Sequence, residues 1–188
     1  MLKATTLKLQ TFLDSVTEWT GKIISWLTLF MVLTVTLVLI LRNWFDLSAI
    51  ALQESVNYMH ACVFMLGAAF ALKHNDHVRV DVFYQHFSPK KKAIVNILGF
   101  FFLLLPVCLF IFIYCKDYVL FSWALGEGSN QPGGIPLMYL LKSLLLAMPV
   151  ALIIQGVSDT LKCSAFLLGW LDTPEFLRTE ELAETHHA

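Results

Sequence analysis

The chain has 188 residues, of which 57% are hydrophobic and only 14% are charged. Soluble domains carry roughly 25% charged residues, so this composition indicates a membrane protein rather than a soluble one. The formal net charge is −1, which gives binding to nucleic acid no electrostatic basis. The four cysteines form no CxxC spacing, so the sequence indicates neither a zinc site nor a disulfide framework.

Residues 1–22 hold three lysines among leucine, phenylalanine and valine at roughly helical spacing. This pattern predicts a short amphipathic helix on the membrane surface. The first long apolar run begins late, at Ile23, and it is too long for the core of a cleaved signal peptide. We therefore expect residues 1–22 to remain in the protein as a surface helix.

Four long apolar runs predict an all-α integral membrane fold, because each approaches the roughly 20 residues that a membrane-spanning helix needs. The chain is expected to form a single membrane domain, 1–188, of four tilted helices. The predicted spans are about 23–41, 50–72, 93–115 and 135–157. Ser88 and Pro89 predict the start of the third helix, and Pro106 predicts a kink within it. Pro174 predicts a second surface helix in the tail.

The segments between the spans predict the orientation. A basic loop at 73–92 follows the second span, a glycine-rich loop at 126–134 follows the third, and a tail occupies 158–188. Ten of the thirteen lysines and arginines fall on the side shared by both termini and the basic loop, and two fall opposite. Lysine and arginine accumulate on the cytoplasmic side of membrane proteins. This asymmetry therefore predicts that both termini are cytoplasmic and that the glycine-rich loop faces outward.

Polar residues interrupt the second span near its start. Glu54, Asn57 and Tyr58 fall on one helical face, and polar groups at that depth need protein partners because lipid offers none. Lys142 lies inside the fourth span at a similar depth. One hypothesis is that Glu54 and Lys142 pair, directly or through Asn57 or Tyr58, and lock the two helices together. The alternative is that each side chain reaches water separately.

The basic loop contains a compact cluster of His77, Arg79 and Asp81. Arg79 and Asp81 alternate with valines, so both charges lie on one side of the segment if it is extended. Such a cluster would grip a partner or the phosphate groups of membrane lipids. The alternative is an ordinary basic loop that fixes the topology.

Motifs for catalysis or cofactor binding are absent from the sequence. There is no GxSxG, no HExxH and no pair of carboxylates within a span. Haem held by two histidines needs both inside the bundle, and only His60 lies in a span. We therefore expect no enzymatic activity, no cofactor and no metal.

Several stretches together resemble a known family. They are Arg42 after the first span, Glu54 in the second, LGAAFALKHNDHVRVDVFY at 66–84, and GEGSNQPGGIPLMYLLK at 126–142, which includes Glu127 and Lys142. The chain resembles the small four-helix membrane subunit, the DctQ-like or Q subunit, of tripartite ATP-independent periplasmic (TRAP) transporters. The resemblance covers roughly residues 20–160.

The resemblance implies a role and partners. The small subunit would pair one-to-one with a large elevator-type subunit in the bacterial inner membrane, which binds sodium and small organic acids. A periplasmic binding protein delivers the substrate, and phospholipids surround the complex. The small subunit would be a non-catalytic scaffold that broadens the fixed part of the large one, with Arg79 and Asp81 bracing its cytoplasmic end. Two alternatives remain open: a haem- or quinone-linked anchor of a membrane enzyme, and an autonomous small transporter.

Overall fold

The computed structural model describes residues 2–76 and 84–177, and within these ranges the secondary structure is entirely helical. Short 3-10 turns lie at Tyr84–His86 and Glu175–Leu177. The main elements, in chain order, are α1 (Leu2–Phe45), α2 (Ile50–His74), α3 (Pro89–Gly99), a π-helical segment (Phe100–Leu104), α4 (Leu105–Leu125) and α5 (Met138–Leu167).

Four helices are long and apolar enough to cross a membrane. They are α1 over Thr5–Phe45, α2, the continuous run of α3, π segment and α4 over Pro89–Leu125, and α5. The predicted all-α fold with four candidate spans is therefore confirmed.

The N-terminal segment differs from the prediction. Residues 1–22 were expected to form a separate surface helix, but α1 is one uninterrupted helix of 44 residues. Its length of about 66 Å is roughly twice the hydrocarbon thickness of a bilayer. The helix continues because its sequence offers no proline, and its only glycine, Gly21, lies where the ring of Phe70 packs against it.

Helix α5 lies at the centre of the bundle and contacts α1, α2, α3 and α4, whereas α1 packs mainly on α2 and α5. Thr17, Gly21 and Ile24 are buried on α1, and their spacing of four and three residues forms one contact stripe. The buried residues of α5 include Gln155, Gly156 and Ser158. Small side chains at these contacts let membrane helices approach closely.

The third span contains the π-helical segment. Ser88 is the N-cap and Pro89 the first residue of α3, as the sequence predicts. Pro106 follows the π segment by two residues. A proline lacks the N–H for the regular helical bond and crowds the preceding turn, and a wider π turn accommodates that ring. The segment places Phe100 against Gly156 of α5.

Candidate functional site: polar ties at both ends of the bundle

A cluster of polar groups joins α2 to the glycine-rich loop. The Glu54 carboxylate accepts hydrogen bonds from the Ser129 hydroxyl and from the backbone N–H of Ile135, the latter at 2.6 Å. A side chain at Gly134 would crowd this site, because its Cβ would lie 2.6 Å from the Cβ of Ser129 and 2.7 Å from a Glu54 carboxylate oxygen. Gly133 adopts a φ of +77°, which side chains rarely allow. The two glycines thus let the loop fold tightly onto Glu54.

A second tie at this end connects α4, the loop and α5. Glu127 follows the helix-ending Gly126, and its carboxylate accepts hydrogen bonds from Ser122, at 2.6 Å, and from the Lys142 ammonium, at 2.5 Å. The Lys142 ammonium also lies 4.1 Å from the centre of the Tyr118 ring. We call the groups around Glu54 and Glu127 the loop-end cluster.

The hydrogen bond from Lys142 lowers the pKa of Glu127 below the ordinary glutamate value, with Ser122 adding to the effect. A lowered carboxyl pKa stabilises the folded state above the unfolded pKa. That contribution disappears as the pH falls through the folded pKa. The Glu127–Lys142 tie is therefore fully formed at neutral pH.

Glu54 and Lys142 do not pair with each other, in contrast to the hypothesis drawn from the sequence. Lys142 pairs with Glu127, and Glu54 binds the loop. Both charges thus find partners near their own depth, and the loop between α4 and α5 supplies them. The second and fourth spans are linked through this loop rather than by one ion pair.

A third group of ties lies at the opposite end, where α1 begins and α5 ends. The Lys73 ammonium of α2 lies 2.6 Å from the Glu18 carboxylate of α1. The Lys162 ammonium of α5 lies 2.9 Å from Asp14 of α1 and 3.0 Å from Asp159 of its own helix. We call these five residues the terminal-end cluster. It connects α1, α2 and α5 by charged contacts, and Ser158 adds a 2.7 Å hydrogen bond to Asp14.

The sequence alone did not single out the terminal-end cluster. Asp14 and Glu18 are four residues apart on α1, and this spacing is the local signal that they share a helical face. Their partners, Lys73 and Lys162, are far away in the chain. Lys73 was assigned to the basic loop, although α2 continues to His74 and carries it.

In the part of the chain that the structure describes, the remaining predicted site residues make no hydrogen bond to these clusters. Arg42 is exposed in the last turn of α1, and Asn57 is exposed on α2. The Tyr58 hydroxyl is buried and lacks a hydrogen-bond partner among the residues that the structure describes. His77, Arg79 and Asp81 lie outside the described residues.

A groove of about 690 Å³ runs between α2, the third span and α5. Its walls are mainly apolar, and several polar side chains on them have partners within the protein: Lys73 with Glu18, Asp159 with Lys162, and Tyr84 with Asn96 at 3.0 Å. Within residues 2–76 and 84–177, no group of three histidine, cysteine or acidic side chains is arranged to hold a metal ion.

The polar ties occur at the helix ends, and the described helices meet through apolar and small residues between them. Comparison of the sequence with known families returns a match. The family model described as tripartite ATP-independent periplasmic transporters, DctQ component, matches residues 7–165. The chain belongs to this family.

The DctQ family match covers nearly the whole of the four spans and includes the two clusters. It identifies the chain as a component of a tripartite transporter, so its partners are a large membrane subunit and a binding protein. The resemblance drawn from the sequence is confirmed. Neither the search of curated proteins nor the search of solved structures returned a match.

Proposed function

We propose that this chain is the non-catalytic scaffold subunit of a sodium-coupled TRAP transporter for small organic acids. It packs one-to-one on the fixed part of the large elevator-type subunit and broadens that part within the bilayer. A periplasmic binding protein delivers substrate to the complex, and membrane phospholipids surround it. The assembly sits in the bacterial inner membrane with both termini of this chain in the cytoplasm.

The polar ties are the observation that supports a scaffold. Of the charged side chains on α2 and α5, Glu54, Lys142, Lys73 and Lys162 each contact another helix or the glycine-rich loop. A transport site needs polar groups that exchange partners with a solute near the middle of the membrane. Charges held in fixed contacts at the helix ends suit a rigid body instead.

The charge distribution supports the proposed orientation. The end that carries the terminal-end cluster also carries Lys90, Lys91 and Lys92 at the start of α3. Lys92 is buried, with its ammonium 5.4 Å from the centre of the Tyr84 ring. Lysine and arginine accumulate on the cytoplasmic side of membrane proteins, so the loop-end cluster would face the periplasm.

Copurification tests the proposed function. The chain is tagged, expressed with its genomic neighbours, extracted in mild detergent and measured by native mass spectrometry. We expect one copy of this chain with one copy of a large multi-span protein. A folded chain that is recovered alone, while the large protein is present in the same membranes, would contradict the proposal.

A further inference from the structure

One face of α2 is exposed and unusually polar for a membrane helix. Gln53, Asn57, His60 and Phe64 are all exposed, and their spacing of four, three and four residues places them in a single row. We call this row the α2 stripe. It lies on the outside of the bundle, away from the contacts that α2 makes with α1 and α5.

The middle of the α2 stripe lies within the depth of the hydrocarbon. Helix α2 begins at Ile50, so at 1.5 Å per residue Asn57 lies about 10 Å and His60 about 15 Å along it. Glu54, where the helix meets the glycine-rich loop, lies about 9 Å before His60 along the helix axis. A hydrocarbon layer of about 30 Å therefore includes both Asn57 and His60.

Asn57 and His60 have no hydrogen-bond partner on the part of the chain that the structure describes. Exposed hydroxyls elsewhere bond to their own helix: the Thr34 hydroxyl donates to the Phe30 carbonyl at 2.8 Å, and Thr36 does the same to Val32 at 2.9 Å. The Asn57 and His60 side chains make no such bond, and they are too short to reach water from this depth. In lipid their polar atoms would remain unsatisfied, which is costly.

We propose that the α2 stripe is the surface that docks on the large membrane subunit. That subunit would supply hydrogen-bond donors and acceptors for Asn57 and His60 and an apolar surface for Phe64, which is 67% exposed and stacks in parallel with the His60 ring. This inference rests on the proposed function, because it names the surface by which the scaffold meets its partner. Lipid tails cannot occupy this role, since they offer no hydrogen bonds.

The partner is a different protein rather than a second copy of this chain. The family is a component of a tripartite transporter, so a complementary membrane subunit is present in the same bilayer. The outward face of α4 provides a contrast. Phe110 and Ile113 are exposed there, 60% and 62%, and this apolar surface suits lipid without further partners.

Photocrosslinking tests the docking surface in the intact complex. A benzophenone amino acid replaces Asn57, His60 or Phe64 in turn, and Phe110 or Ile113 as matched controls in the middle of another span. We expect adducts with the large subunit from the stripe positions, with a mass equal to one copy of each chain. The two control positions should give lipid adducts only.

Three outcomes would overturn the inference. One is an intact complex in which stripe positions yield no adduct with the large subunit. Another is stripe adducts with the mass of two copies of this chain. The third is adducts with the large subunit from the α4 positions alone. In these cases the scaffold function survives with a different docking surface, whereas failure of the wild-type chain to copurify removes the proposed function itself.

Substitution measures how much the polar atoms contribute. Asn57→Leu and His60→Leu each replace an exposed polar side chain with leucine, which favours the helix and is compatible with lipid. Each variant, purified alone, should therefore melt at the same temperature as the wild-type chain. Hydrogen bonds between membrane helices are modest, so each substitution should weaken association with the large subunit by about three- to fifteen-fold. Phe110→Leu is the control and should leave association unchanged. Equal association of all three variants would contradict the role assigned to the polar atoms.

Discussion

At the scale of residues, polar side chains in these apolar helices are satisfied in different ways. Thr34 and Thr36 bond to the carbonyls of their own helix, and Glu54 and Lys142 reach the glycine-rich loop. Asn57 has neither arrangement, and the docking proposal rests on it for that reason. The type of partner, more than the presence of a polar residue, distinguishes structural positions from interface positions.

The contact between Glu54 and the loop predicts a local effect of Glu54→Leu. The substitution leaves the Ser129 hydroxyl and the Ile135 N–H without their acceptor, and a hydrogen bond to a charged group contributes about 1.5–3 kcal/mol. We expect the Ile135 amide to exchange its hydrogen at least about tenfold faster, measured by hydrogen–deuterium exchange in detergent.

Gln53→Leu is the matched control for that experiment. Gln53 is adjacent in sequence but exposed on α2, away from the loop, so Ile135 exchange should stay as in the wild type. Unchanged exchange in Glu54→Leu would show that the loop holds its conformation without the carboxylate.

At the residue scale the sequence predicted which side chains need partners but not which partners they have. Glu54 and Lys142 stand out because they are charged within apolar runs. Their contacts depend on how the loop returns over α2, and that path is set by the positive φ of Gly133 and by the close approach of Gly134 to Glu54. Such geometry cannot be derived from the spacing of residues along one chain.

At the scale of elements, two aromatic rings fit against glycines on neighbouring helices. Phe70 of α2 packs on Gly21 of α1, and Phe100 of the π segment packs on Gly156 of α5. A Cβ at position 156 would lie 2.6 Å from the Phe100 ring, and Phe100 is buried with little room to move. These two contacts fix how α1 and the third span sit on the rest of the bundle.

These contacts predict opposite effects of alanine at different glycines. Gly21→Ala and Gly156→Ala should each destabilise the bundle by about 1–3 kcal/mol, the usual cost of overpacking. Gly67 has no neighbour within 4 Å of where its Cβ would be, so Gly67→Ala should be neutral or stabilise α2 by up to about 1 kcal/mol. Thermal unfolding in mild detergent compares the three variants. A Gly67→Ala variant as unstable as the other two would contradict this explanation.

The sequence predicted the number and type of elements well, because length and hydrophobicity alone decide whether a helix can cross a membrane. It was less informative about where helices end. Residues 1–22 continue into the first span as one helix, since no breaking residue separates them, and amphipathic spacing alone cannot distinguish a surface helix from the extension of a spanning one. The π segment before Pro106 also has no sequence signal beyond the proline.

At the scale of the whole molecule, the bundle is joined most firmly at its two ends. The terminal-end cluster links α1, α2 and α5, and the loop-end cluster links α2, α4 and α5 through the glycine-rich loop. Helix α5 takes part in both and contacts every other span. Contacts at both ends favour a bundle that moves as one rigid body, which is what the proposed scaffold role requires.

The most direct test is uptake by proteoliposomes that contain this chain alone, the large subunit with this chain, or the full set with the binding protein. Each preparation is given a sodium gradient and a panel of labelled small carboxylates. We predict that substrate accumulates only in the complete system and that the chain alone neither binds nor transports any of the panel. Sodium-dependent accumulation by the chain alone would contradict the scaffold account.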